Sequence, residues 1–317
     1  MAKDYGSKKG SRGTTKSKPG TTVSDIRDCP FRSESQLYVI IILLLLFSQD
    51  SSFGRDVFRR VTVVNVPWYK ERTLKGINLG SVIILTLLRS LIFNLNRLSD
   101  VFLLNNCLAV LENLSPSVAD LHEYAAMRLV SVTIILMKKY AKLVVQEKRD
   151  AAKHTPDEDN LSNPLDMYSE ATRTLLGIIK HGLSAKNIES NAHLIYALVY
   201  HQVDFLKLCK TKYSAAKKNG GTSVKKLYSS KQTSRITSVI AKASELIQDE
   251  SARSAPRVLR VIEREMMNLK GVIVAVDQEI ANKRKKYNNH LPDGDDVQNG
   301  MNGKYDDGNV SSLQPSA

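Results

Sequence analysis

The sequence contains few of the residues from which disulfide frameworks and zinc sites are built. It has three cysteines in 317 residues, Cys29, Cys107 and Cys209, which lie far apart and form no CxxC pair. An odd number of isolated cysteines argues against a disulfide framework and against a zinc ribbon. Free cysteines of this kind fit a reducing compartment.

Catalytic motifs are also missing. The sequence contains no GxSxG, GxGxxG or GxxxxGK[ST] pattern. The nearest approach to the HExxH zinc motif begins at His122–Glu123, but Ala126 stands where the motif requires a second histidine. The sequence therefore predicts no catalytic residue, no cofactor site and no metal site, and we expect that the protein is not an enzyme.

No hydrophobic run is both long and free of charge. Residues 37–47 are eleven consecutive apolar residues, which cover only about half of a bilayer core. Residues 77–95 are long enough to span, but Arg89 lies within them. We expect both runs to be core helices, with 37–47 buried on every side, and Gly76 and Gly80 to permit close helix packing. An integral membrane protein that uses 37–47 and 77–95 is an alternative.

Composition and charge divide the chain into three parts. Apolar residues are 42% and charged residues 25%, as in ordinary globular proteins. Residues 1–35 read as a disordered basic arm and residues 36–286 as a helical region with polar linkers at about 151–163 and 210–233. Residues 287–317 read as a disordered acidic tail, whose carboxylates are Asp293, Asp295, Asp296, Asp306 and Asp307.

The helical region shows repeated start signals. Proline follows a capping residue at Ser115–Pro116 and Asn163–Pro164, and Pro256 lies two residues after Ser254. Apolar residues then recur at spacings of three and four. The β-branched run at 61–66 has no evident partner strand, so we assign it to a helix end or a buried linker. The sequence predicts an all-α fold of stacked helical pairs, α-solenoid-like, with disordered termini.

Positive charge is concentrated in two places, the stretch between residues 205 and 244 and the run at 283–286. The formal net charge is +14, and ten lysines and arginines but no acidic residue lie between Phe205 and Ser244. Such clusters can contact anionic lipid headgroups, remain solvated, or bind nucleic acid. Aromatic residues are sparse there, so lipid is favoured over nucleic acid. The candidate anionic-membrane contacts are Lys217, Lys218, Lys225, Lys226, Lys283, Arg284, Lys285 and Lys286.

Several segments resemble, in their order and spacing, the C-terminal half of proteins of the dymeclin family. Distinctive units are Trp68–Tyr69–x–Glu71–Arg72 and Asn106–Cys107–Leu108–Ala109. The segments that resemble the family are IILLLLFSQDSSFGR at 41–55, PWYKERTLKGINLGSVIILTLLR at 67–89, NNCLAVLENLSPSVADLHEYAAMRLVS at 105–131 and NAHLIYALVYHQVDF at 191–205.

This resemblance implies a non-enzymatic scaffold of the cytoplasmic face of the Golgi apparatus, partly cytosolic, that acts in Golgi organisation and vesicle trafficking. It implies protein partners on the Golgi surface and assigns no catalytic residue. Family members are longer and begin with further helices, so we expect the apolar face of 37–47 to be exposed here and to support self-association. A nuclear or nucleic-acid-associated basic protein is the alternative from another class.

Overall fold

The structure is a computed structural model that describes residues 34–151, 164–216, 222–226, 228–249 and 254–288. Within these ranges the chain is almost wholly helical, which confirms the all-α prediction. The α-helices are α1 Glu34–Ser48, α2 Ser51–Arg59, α3 Leu79–Phe93, α4 Val101–Leu114, α5 Glu123–Ala151, α6 Pro164–Gly182, α7 Ala192–Tyr200, α8 Gln202–Cys209, α9 Ser230–Asp249, α10 Ala255–Arg264 and α11 Met266–Asn288.

Short polar side chains determine where several helices begin. Asp50 accepts a hydrogen bond from the Ser52 amide at the start of α2, and Asn78 accepts one from the Ser81 amide at the start of α3. These side chains satisfy amides that have no partner within the helix. Pro164 and Pro256 lie in the first turns of α6 and α10, as the proline signals predict.

Two β-hairpins interrupt the helices, and the first of them corrects a prediction. β1 Thr62–Asn65 pairs antiparallel with β2 Lys75–Asn78, so the assignment of 61–66 to a helix end or linker is wrong. The partner strand lies beyond the connecting segment 66–74, and Gly76 within β2 has a positive φ of 60°, which glycine adopts without steric cost. β3 Lys212–Ala216 pairs antiparallel with β4 Thr222–Lys226 inside the predicted polar linker.

Other helix boundaries also differ from the predictions. Ser115–Ser117 forms a single 3₁₀ turn, and α5 begins only at Glu123. Asp100 caps α4, and the residue before it, Ser99, has a left-handed φ of 55° and ends the π-helical turn Asn94–Leu98. The predicted last helix is divided at Glu265 into α10 and α11.

The helices pack in two rows. In the first row α3 packs against α5, α5 against α7, and α7 against α10. In the second row α1 packs against α4, α4 against α6, α6 against α9, and α9 against α11. The two rows contact each other most extensively where α5 meets α6. The predicted stacking of helical pairs is confirmed, whereas a solenoid of regular repeats stays a prediction.

α3 is the described helix that could cross a membrane by length and composition. Leu79–Leu98 passes that test, and the pair Gln36–Ser48 and Ser51–Arg59 passes it only if the two helices, bent by 99°, are taken as one span. Leu88 and Leu91 of α3 are fully buried between neighbouring helices, and α3 packs against α2, α4 and α5. Its apolar residues therefore serve a protein core, as expected of a buried helix.

Three predicted segments lie wholly or largely outside the described residues. These are the basic arm over 1–35, the linker at 151–163 and the acidic tail over 287–317. They stay predictions.

Candidate interaction surfaces

One side of α1 is apolar and exposed. Its inner side packs on α4, where the ring of Tyr38 meets the edge of Phe102 at 5.5 Å and Ser48 Oγ accepts a hydrogen bond of 3.0 Å from Asn113. Ile41 is only 5% exposed, whereas Ile40 is 62% exposed. The expectation that 37–47 is buried on every side is therefore wrong.

The exposed side of α1 has a simple origin in the packing. α1 is the first described helix of the second row and packs mainly against α4 and α2, so no other described helix packs on its opposite side. We call this surface the end face; its residues are Val39, Ile40, Ile42, Leu43, Leu46 and Phe47. No charged residue lies between 37 and 47. The end face is therefore an exposed apolar surface without formal charge, which makes it a candidate interaction surface.

The candidate lipid-contact residues belong to two different elements. Lys217 and Lys218 lie outside the described residues, whereas Lys225 and Lys226 are in β4. The hairpin register places Lys212 opposite Lys226. Sequence reasoning did not include Lys212 among the candidates, although strand pairing places it in the same hairpin.

The second basic cluster, 283–286, lies near the C-terminal end of α11. Lys283 Nζ donates to Glu279 Oε1 at 2.5 Å, and this hydrogen bond lowers the pKa of Glu279. Basic residues near a helix C-terminus are favoured by the helix dipole. Lys283 therefore has a local electrostatic role besides any role in membrane contact.

Two serine–histidine contacts are the nearest approach to a nucleophilic site. Ser115 Oγ lies 3.1 Å from His181 Nδ1, and Ser131 Oγ lies 3.0 Å from His201 Nε2. Burial lowers the pKa of both histidines. In the described ranges no carboxylate hydrogen-bonds to either ring, so neither pair has the third member that a triad requires.

The HExxH-like segment has a structural role. His122 precedes α5, and its Nδ1 accepts a hydrogen bond of 3.2 Å from the Tyr124 amide, so the ring caps the helix. The thiol of Cys107 is buried in α4, and burial raises its pKa to about 12, which disfavours a thiolate. No group of three or more metal-ligating side chains occurs among the described residues.

A charged contact network lies on the outer side of the first row. The segment after β1 places Glu71 between α3 and α5, where Glu71 accepts hydrogen bonds from the hydroxyls of Tyr69 at 3.3 Å and Tyr124 at 3.2 Å. Arg128 lies 3.8 Å and Arg89 4.0 Å from its carboxylate. Sequence reasoning singled out Glu71 only as part of a family-like unit and missed this network.

Comparison with known proteins identifies relatives of the chain. The family model described as "Dymeclin: Dyggve-Melchior-Clausen syndrome protein" matches residues 22–291. Dymeclin of Gallus gallus is 34% identical over 173 residues, which are 53% of this chain and 26% of the relative. Dymeclin of Drosophila melanogaster is 33% identical over 184 residues, 56% of this chain and 26% of the relative.

A shorter and more similar stretch is shared with dymeclin of Dictyostelium discoideum, which is 44% identical over 108 residues, 34% of this chain and 12% of the relative. The chain spans about a quarter of the length of the first curated relatives that it matches. No solved structure matches the chain.

Proposed function

The chain belongs to the dymeclin family, and on that premise we propose that it is a non-enzymatic helical scaffold that acts in Golgi organisation and vesicle trafficking. In this proposal it binds protein partners on the cytoplasmic face of the Golgi apparatus as a peripheral protein and is partly cytosolic. The family supports the location, and the structure supports the scaffold role.

The end face is the observation on which the scaffold role rests. Phe47 is 57% exposed and Ile40 62% exposed, and exposed apolar surface costs free energy of roughly 25 cal/mol per Å² relative to burial. Other described helices also expose single apolar residues, such as Val203 and Met267, whereas on α1 several exposed apolar residues share one side. The end face therefore favours docking of another apolar helix, and this makes it a protein-binding surface.

When the protein is purified alone, the partner available to the end face is a second copy of the chain. The end face has no charge that would repel an identical surface, and two copies related by a twofold axis would place α1 against α1. Such packing would extend the second row by one helix. We therefore propose self-association through residues 37–47.

The basic residues add a proposed contact with anionic lipid. β4 contains Lys225 and Lys226, and α11 contains 283–286. Each lysine or arginine near an anionic surface contributes about 1 kcal/mol. Lys283 contributes less in this proposal, because Glu279 already pairs with it.

Fluorescence localisation of the tagged chain, followed by alkaline carbonate extraction, tests the proposed function. We expect a Golgi signal that carbonate releases. The double variant Ile40→Ser/Leu43→Ser should lose the Golgi signal, whereas the matched variant Val203→Ser/Met267→Ser, which alters exposed apolar residues of α8 and α11, should keep it.

Two results would support the alternatives instead. A signal concentrated in the nucleus would favour the basic nucleic-acid-associated protein and contradict the Golgi role. Retention in the carbonate-washed pellet would favour membrane spans over 37–47 and 77–95 and contradict peripheral attachment.

A further inference from the structure

A cleft of about 430 Å³ opens on the outer side of the first row, beside the π-helical turn. Three arginines line it, two from helices and one from the π-helical turn. Arg89 comes from α3, Arg97 from the π-helical turn and Arg128 from α5. Glu71 supplies a carboxylate among the lining residues.

The charges in this cleft are unequal. Glu71 lies 3.8 Å from Arg128 and 4.0 Å from Arg89, distances at which direct hydrogen bonds do not form. Arg97 has no ion pair within the described part of the chain. Three guanidinium groups thus face one carboxylate, and the excess of positive charge favours an acidic ligand.

Glu71 also shows which anion fits. It is a carboxylate on a peptide segment that enters the cleft, and the hydroxyls of Tyr69 and Tyr124 hold it from the other side. A second carboxylate from a partner can reach the donors of Arg89 and Arg97 that Glu71 does not use. Guanidinium groups bind carboxylates through two parallel hydrogen bonds.

The shape of the cleft favours a peptide over a membrane surface. Arg89 is 57% exposed but Arg128 only 34% exposed, so a flat layer of headgroups meets the rim of the cleft, whereas an inserted side chain also reaches its inner part. Phe93, 55% exposed, and the half-buried Ile92 form an apolar wall next to the arginines. Arginine beside an aromatic ring is a frequent composition of protein-binding hot spots.

We propose that this cleft binds an acidic peptide segment of a partner protein, with aspartate or glutamate side chains on Arg89 and Arg97 and an apolar side chain against Phe93. This inference names a partner class for the proposed scaffold and rests on that role for its biological setting. It is tested with purified protein, so its outcome is separate from that of the localisation experiment.

The probe is a displayed library of random dodecapeptides, selected on the immobilised full chain at physiological salt. We expect the selected peptides to be enriched in aspartate and glutamate together with a large apolar residue. A fluorescent copy of the strongest peptide is then titrated with variants. Arg89→Gln/Arg97→Gln should weaken binding about tenfold or more. The charge-matched variant Arg257→Gln/Arg260→Gln, which alters exposed arginines of α10, should change it less than about twofold.

Glu71→Gln provides a change in the opposite direction. Without its carboxylate, Arg89 and Arg128 lose their resident partner, so acidic peptides should bind about two- to fivefold more tightly. Thermal unfolding by circular dichroism confirms that each variant is folded before it is titrated.

The proposal is overturned if the selected peptides show no acidic enrichment. It is also overturned if both arginine variants weaken binding equally, or if Glu71→Gln weakens it. Phosphatidylserine vesicles give a further arm: vesicle binding that is lost in Arg89→Gln/Arg97→Gln, with no peptide selected, would assign the cleft to lipid and contradict the proposal.

Discussion

Asn191 Nδ2 donates a hydrogen bond of 3.0 Å to the carbonyl oxygen of Val118, a residue from a different helix corner. The Asn191 side chain is fully buried, its Oδ1 accepts from the Leu121 amide at 3.2 Å, and its Nδ2 also lies 3.0 Å from the Gly182 carbonyl. One amide side chain therefore joins the corner between α4 and α5 to the corner between α6 and α7.

The first prediction concerns this residue. Asn191→Ala leaves the Leu121 amide and two buried carbonyls without a partner, and each such loss costs about 1–3 kcal/mol. We expect the free energy of unfolding in urea to fall by about 3 kcal/mol. Asn106→Ala is the control, because Asn106 is only half-buried and its side-chain hydrogen bond among the described residues goes to the Phe102 carbonyl within its own helix. Equal effects of the two variants would contradict the role of Asn191.

The second prediction compares two glycines. A Cβ at Gly80 would lie 2.4 Å from the ring of Phe58, whereas a Cβ at Gly177 would meet nothing within 4 Å. Gly80→Ala should therefore destabilise the protein by about 1–3 kcal/mol through overpacking. Gly177→Ala, inside α6, should stabilise it by about 0.5–1 kcal/mol. Thermal unfolding measures both, and a neutral Gly80→Ala would contradict the close packing of α2 on α3.

The third prediction concerns the ion pair between Arg235 of α9 and Asp277 of α11. Arg235 is 13% exposed and lies 2.5 Å from Asp277, and it also donates to the Lys180 carbonyl at 2.9 Å. A double-mutant cycle with alanine should give a coupling energy of about 1–2 kcal/mol.

The pair Lys283–Glu279 is the matched control, because its lysine is 75% exposed. Its coupling should not exceed about 0.5 kcal/mol. Equal coupling in the exposed pair and in the partly buried Arg235–Asp277 pair would contradict the role of this ion pair in holding α11 on α9.

The fourth prediction concerns pH. Burial lowers the pKa of His181 and of His201 in the folded protein below the ordinary value of 6.5. The unfolded chain then binds more protons near that pH, so stability increases with pH. We expect the free energy of unfolding to be constant above about pH 7 and to fall as the pH decreases through 6.5.

The double variant His181→Asn/His201→Asn should reduce this slope between pH 7 and 5.5, roughly the range over which histidine titrates. Asn106→Ala should keep it. Asp100 does not interfere, because its pKa is lowered from 3.8, and stability that depends on its charge is lost only at more acidic pH. An unchanged slope in the histidine variant would contradict this explanation.

Local signals explain which parts of the fold could be predicted. Pro164 and Pro256 mark helix starts because a proline in the first turn loses no helical hydrogen bond. The pairing of β1 with β2 and the start of α5 at Glu123 could not be predicted in this way. They depend on contacts between distant residues, such as the hydrogen bond from the Asn78 side chain to the Asp120 carbonyl.

The two candidate interaction surfaces also differ in how far the sequence predicts them. The apolar run 37–47 can be recognised from composition, whereas the side of it that is exposed follows only from the packing of α1 on α4 and α2. The arginine cleft was missed because Arg89, Arg97 and Arg128 come together only through the packing of α3 on α5. The sequence spacing of these three arginines does not predict that they lie close together.

Sedimentation velocity of the purified chain over a range of micromolar concentrations tests most directly whether the end face is an interaction surface. We predict a dimer or larger species for the unaltered chain. Ile40→Ser/Leu43→Ser should shift it to monomer, whereas Val203→Ser/Met267→Ser should not. A monomer at every concentration, or an assembly that the end-face variant leaves intact, would contradict the account.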